Sequence, residues 1–204
     1  MRRGESGVAL VLAIMVAGLL AALGVSVLVV ADTERRMTAN AGYSTEALAA
    51  AEAGVERVVL DLALSSQWDG ILSGSTVSGF VDRTRRPTLP SGGMVDLDAE
   101  TVAVQSESAA QGTFGVITPQ WRLFAWGPLS GMVAGAPLDS AQYVAVWVAD
   151  DPSEADGNPS ADSNGTVSIH AEARGPGGAR RVVEATVARV AAGVVKTLSW
   201  REVR

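Results

Sequence analysis

The chain has 204 residues, with 16 basic and 22 acidic side chains, a net charge of −6, no cysteine and one histidine, His170. Without cysteine there is no thiol catalysis, iron–sulfur cluster or thiolate zinc site, and a lone histidine leaves no multi-histidine metal centre. From Asp32 onward 14 basic residues stand against 21 acidic ones, since only Arg2, Arg3 and Glu5 come before it; that balance argues against binding nucleic acid by phosphate neutralisation.

Val8 to Ala31 is a run of 24 residues with no charge, amide or proline. At about 1.5 Å per residue it reaches about 36 Å as a helix, enough to cross a hydrocarbon core of about 30 Å. Residues 8–31 are therefore predicted to be a transmembrane helix, behind a short leader, residues 1–7. Arg2 and Arg3 on one side nearly balance Arg35 and Arg36 on the other, but a long exterior translocates largely regardless of its charge, which places the amino terminus in the cytoplasm. Val29 and Ala31 satisfy the small-residue rule for signal cleavage after Ala31. Against that cut, the apolar run is much longer than the usual signal core of about 7 to 15 residues.

From Asp32 to Leu64 there is no proline, and Ala, Leu, Glu and Arg dominate, so the helix is predicted to continue through residues 32–64. Met37, Ala41, Ser44, Leu48, Ala51, Val55, Val58 and Leu62 recur at spacings of four and three, forming one apolar stripe, with Glu34, Arg36, Glu46, Glu52, Glu56 and Asp61 off it. Gly18, Gly24, Gly42 and Gly54 mark points of bending or of close packing.

Residues 65–115 break into SSQWDG, SGSTVSG, RTRRPTLPSGG and QSESAAQG, all turn chemistry. A loop-rich region is expected, with a short strand over Glu100–Ser106 (ETVAVQS). From 116 to 204 the pattern is β. Strands are predicted from Val116 into Trp121–Trp126, and over Gln142–Ala149, Thr166–Arg174, Arg180–Val190 and Val194–Trp200. In Thr166–Arg174 the residues Val167, Ile169, Ala171 and Ala173 alternate with Ser168, His170, Glu172 and Arg174, the pattern of a half-buried strand. Gly-Pro-Gly-Gly at 175–178 closes a hairpin to the next strand. No helical crossovers separate these strands, so the sheet should be antiparallel. The only long apolar surface available to cover it is the stripe, so the lower half of the long helix should lie across the sheet. The fold class is thus α+β: a long amino-terminal helix, transmembrane in one half and amphipathic in the other, packed on a carboxy-terminal antiparallel sheet.

A basic leader ending in glycine, a span fused to an amphipathic helix, and a following antiparallel sheet together resemble type IV pilins and their minor relatives. The resemblance implies cleavage by a prepilin peptidase between Gly7 and Val8. A major pilin usually carries glutamate five residues after the cut, where this chain has Leu12; that departure implies an initiating, capping or accessory subunit. A closer resemblance is to PilX-type pilus assembly proteins. Their ER-M-x-x-N and A-x-x-A-A-E-A-G patterns are matched by Glu34-Arg35-Arg36-Met37-Thr38-Ala39-Asn40 and Leu48-Ala-Ala-Ala-Glu52-Ala-Gly54. It covers the first 64 residues and implies a pilin-like fold, other pilins, pilus assembly proteins and inner-membrane lipid as partners, and a single-pass position with the carboxy-terminal part periplasmic. Two alternatives are a K-type pseudopilin of type II secretion, which usually carries a much larger inserted domain, and a single-span anchored binding module.

The loop DDPSEADGNPSADSNG crowds the oxygen ligands Asp150, Asp151, Glu154, Asp156, Asn158, Asp162 and Asn164 between two strands. Calcium takes six to eight such oxygens, although the helix–loop–helix calcium template fails here for want of its glycine. A solvated hairpin loop is the competing reading, and calcium is the sole cofactor considered. Trp121, Trp126, Trp147 and Trp200 are expected in the core or at sheet edges rather than on a binding platform. No nucleophile–base pair or phosphate loop is present, so no enzymatic activity is expected.

Overall fold

In a computed structural model, residues 5–110, 115, 117–133, 135 and 138–203 are described. Contacts divide the chain into two units, Met1–Gly42 and Tyr43–Arg204, and one helix, α1 (Glu5–Leu64), passes through both.

In the first unit every side chain from Gly7 to Val30 is exposed. The large apolar ones stand at 55–70% exposure, from Val16 and Leu23 at 55% to Leu28 at 70%. Such a surface has no stable place in water and fits hydrocarbon, and its length and hydropathy suffice for a membrane span. The one polar side chain within it, Ser26, donates its hydroxyl to the Ala22 carbonyl at 2.9 Å, as a hydroxyl in lipid must. Polar surface begins beyond it with Asp32, which pairs with Arg36 one turn on at 2.9 Å.

The second unit is built on a five-stranded antiparallel meander: β1 (Arg122–Pro128), β2 (Tyr143–Asp150), β3 (Thr166–Arg174), β4 (Arg180–Ala191) and β5 (Val194–Val203), in that spatial order. The five strands predicted beyond residue 115 are present, although β1 starts at Arg122 and Val116, the predicted approach to it, lies outside the described residues. The β3–β4 turn holds Gly175–Gly178 as expected. The β4–β5 turn is tighter and puts Gly193 at φ 72°, which side-chain-bearing residues avoid.

One face of the sheet receives the lower part of α1. Ala47, Ala50, Ala51, Val55, Val58 and Leu62 join Val144, Val146, Val148, Val167, Ile169, Ala171, Val183, Ala185 and Val187 in one core. The helix lies close because position 54 is glycine: a Cβ there would stand 2.7 Å from Val144 Cγ1 and 3.0 Å from Val146 Cγ2. Polar contacts fix the register. Ser140 Oγ donates to Glu46 Oε1 at 2.6 Å, Arg181 donates to Ser44 Oγ, and Arg189 donates to the Ser65 and Ser66 carbonyls just past the helix end while stacking over Trp68 at 4.3 Å.

The other face differs from expectation. A short helix, α2 (Asp69–Leu72), follows α1, and residues 97–110 form a longer one, α3 (Leu97–Ala110), where the sequence predicts a strand over Glu100–Ser106. The Val102–Val104 alternation misleads. Asp96 Oδ1 accepts from the amides of Asp98 and Ala99, an N-cap with acidic residues in the first turn behind it, and the Ala99 amide first, then the Arg86 guanidinium and the Asp98 amide, hold the Asp96 carboxyl below its usual range. Leu97 and Val104, seven residues apart, are the buried pair of α3. They cover Trp121, Leu123, Trp126, Tyr143, Ala145 and Trp147. Gln105 ties this helix to the β1 approach, donating to the Pro119 carbonyl and accepting from the Trp121 amide, and Thr101 Oγ1 accepts from the Trp147 indole at 2.8 Å.

The supposed solvent face of β3 is therefore buried. His170 is 3% exposed, lies edge-on to Trp121 and Trp147 and meets Glu184 Oε1 at 3.2 Å. Glu172 is buried between Arg174 and Arg180. Trp121, Trp126 and Trp147 are core residues, while Trp200 remains 48% exposed on β5. The outer edge of β1 is covered by Ser78–Asp82, whose backbone bonds to Phe124 and Trp126 and blunts the edge against further pairing.

Candidate functional surface and acidic loop

Three sets of residues are expected to carry function. The first, the leader junction, falls only partly among the described residues: 1–4 lie outside them, and Gly7 and Val8 lie in the first turns of α1. Val8 is 62% exposed, and no neighbouring atom lies within 4 Å of where a Cβ on Gly7 would stand.

The second set, the stripe, divides. Ala51, Val55, Val58 and Leu62 are at most 3% exposed and are used up by the chain's own sheet. Leu48 is half-buried against the same core, and Ser44 is partly covered. Met37 and Ala41, in the first unit, are exposed, Met37 at 65%. Ala47, Ala50 and Gly54, which the stripe omitted, are buried on the sheet side. The packing face of the lower helix thus turns toward its small residues, because a helix settles closest to a flat sheet where side chains are shortest. The apolar helix surface left open in the first unit is Val8 to Val30 with Met37 and Ala41.

The third set is the acidic loop that follows β2. Asp150, the last residue of that strand, is fully buried, and Glu154 is 2% exposed. Ligand oxygens of Asp150, Glu154 and Asp156 lie within 4.8 Å of one another. Burial, reinforced by the Glu154 carboxyl beside it, pushes the Asp150 carboxyl up to about 8. Burial likewise raises Asp162, with the Glu154 charge adding to it against an amide bond from Gly165.

The remaining four residues of this set are engaged in the loop itself. Asp151 accepts from Ser153. Asn158 Oδ1 accepts from the Ser160 amide, and Asn164 bonds Asp151 and the Thr166 amide. Asp162 Oδ1 accepts from the Gly165 amide at 2.7 Å. Composition identified this loop as oxygen-rich; it did not show that two of its carboxyls are inside the protein.

Fold and surface define the class as an α+β protein with a long amino-terminal helix, apolar enough at its start to cross a membrane, and a carboxy-terminal antiparallel meander. No protein-family model matches the chain, and no curated protein or solved structure does so either.

Proposed function

We propose that this chain is a minor pilin, a pilus assembly subunit of a type IV pilus-like system, held in a bacterial inner membrane with its amino terminus cytoplasmic and its sheet periplasmic. The observation that carries this reading is the division of labour along α1. One face of its Tyr43–Leu64 part is buried against the sheet, whereas Val8–Val30 keeps every apolar side chain exposed. A membrane anchor needs only that exposed surface. The PilX-like patterns from Glu34 to Gly54 and the Gly7–Val8 junction support the narrower assignment to pilus assembly.

The mechanism is packing. In the bilayer, lipid tails cover the span; in a filament, the spans of neighbouring subunits replace them. Lipid and leucine are equally apolar, so the exchange carries little hydrophobic cost and can be driven in either direction by an assembly motor. Small residues such as Gly18 and Gly24, beside which a Cβ would meet no atom within 4 Å, leave the backbone open to a neighbouring helix. No step of chemistry is required of the subunit after its leader is cut.

The test is co-expression with a prepilin peptidase, followed by mass spectrometry of the amino terminus. A mature chain beginning at Val8 is expected. One beginning at Asp32 would indicate ordinary secretion, and an intact Met1 a permanent anchor; either overturns the reading.

A further inference from the structure

We infer that Asp150, Glu154 and Asp156, where β2 runs into its loop to β3, form a calcium site. This inference stands on the second unit alone and does not depend on the assembly reading.

Two buried, unpartnered oxygens carry it. Asp150 Oδ1 accepts from the Asp151 amide at 2.9 Å, yet its Oδ2, inside the protein, has no hydrogen-bond partner. Glu154 Oε1 takes both the amide and the hydroxyl of Ser163, yet its Oε2 is likewise buried and unpartnered. A buried carboxylate oxygen left without a donor is costly, and here two belong to carboxyls that face a third.

No arginine or lysine forms an ion pair with Asp150, Glu154 or Asp156 among the described residues. Arg189, whose charge acts on Asp162 in the same loop, is bound to the carbonyls of Ser65 and Ser66. The negative charge must therefore be met by protons or by a cation.

Geometry favours the cation, and calcium among cations. The three carboxylate oxygens lie within 4.8 Å of one another, close enough for one ion bound at about 2.4 Å to reach all three. Magnesium demands strict octahedral order and gives up its waters reluctantly, so one strand-end carboxylate and two loop carboxylates suit the more adaptable oxygen shell of calcium. Asp150 is fixed by the strand, Glu154 is held by Ser163, and the exposed Asp156 closes the site from the solvent side. Water and loop carbonyls complete the six to eight ligands calcium takes. Binding would pin residues 150–163, the root and far limb of this loop, to one another.

The experiment uses the full chain in detergent micelles, stripped with a chelator and titrated with calcium chloride or magnesium chloride, reading thermal unfolding and binding heat. At calcium ten times its dissociation constant the melting temperature should rise by about 3–6 °C, with a clearly smaller rise at equal magnesium. Asp156→Asn, on the surface, should leave the metal-free melting temperature unchanged and weaken calcium binding at least about tenfold. The double variant Asp150→Asn with Glu154→Gln should melt at or above the metal-free native chain and lose the response to calcium. No calcium response in the native chain, or an unaltered response in Asp156→Asn, overturns the site and leaves a proton shared by Asp150 and Glu154 as the account of their burial.

Discussion

Gly54→Ala probes the contact that seats α1 on the sheet. The new Cβ would stand 2.7 Å from Val144 Cγ1 and 3.0 Å from Val146 Cγ2, against an optimal carbon–carbon separation of about 3.5–4.0 Å. Both valines are fully buried on β2, which is paired on both sides, so neither they nor the helix can yield without moving a neighbour. Overpacking of this kind costs about 1–3 kcal/mol, while alanine's better helix propensity returns about 1 kcal/mol. Gly42→Ala, where a Cβ meets nothing within 4 Å, collects the propensity term alone. The two variants should thus differ by about 1–3 kcal/mol, or about 2–4 °C in melting temperature for each kcal/mol in a unit of this size.

Adding Val144→Ala removes the methyl that the new Cβ strikes. The pair should then be coupled favourably by about 1 kcal/mol or more in a double-mutant cycle. Thermal unfolding of the full chain in detergent, followed by near-ultraviolet circular dichroism, reads the native chain and all four variants. If Gly54→Ala is as stable as Gly42→Ala, or the cycle is additive, the close seating of the helix is refuted.

Other measurements test the second face and the loop. Thr101→Val removes the acceptor of the buried Trp147 indole without changing side-chain volume, and should destabilise by about 1–3 kcal/mol; Thr101→Ser should restore most of it, and a Val variant as stable as the native chain would contradict the role of α3. In metal-free protein the Asp150 carboxyl, raised from an ordinary 3.8 to about 8, holds its proton in the folded state where the unfolded chain has lost it. Stability should accordingly fall as pH rises from about 4 to about 8. Saturating calcium should flatten that slope, and a metal-free profile that rises through this window would contradict the burial of Asp150.

Much of this architecture is legible in the sequence because its signals are strong and local. The uncharged run from Val8, the proline-free stretch behind it, the alternation in Thr166–Arg174 and the glycine-rich turn after it each have one physical solution. The spacing of four and three picks out Ala51, Val55, Val58 and Leu62 but passes beside Ala47, Ala50 and Gly54, whose smallness decides which face meets the sheet. The helix α3 was missed because Val102 and Val104 mimic a strand, although Asp96 followed by Asp98 and Glu100 is an N-cap signal. That one error propagates: without α3 nothing covers the His170 face, and β3 reads as half-exposed when it is buried on both sides. The acidic loop shows the opposite limit. Its composition is the same whether its carboxyls are solvated or buried, and only tertiary packing places Asp150 and Glu154 inside.

The most direct test of the central claim, that the exposed start of α1 exchanges lipid for neighbouring subunits, is a photo-crosslinking residue at Met15, which is 67% exposed, compared with one at Ala51, which is fully buried against its own sheet. In cells assembling filaments, the Met15 probe should yield adducts with a second pilin subunit, and the Ala51 probe only products within its own chain. Lipid adducts alone at Met15 in filament-containing fractions would contradict the account.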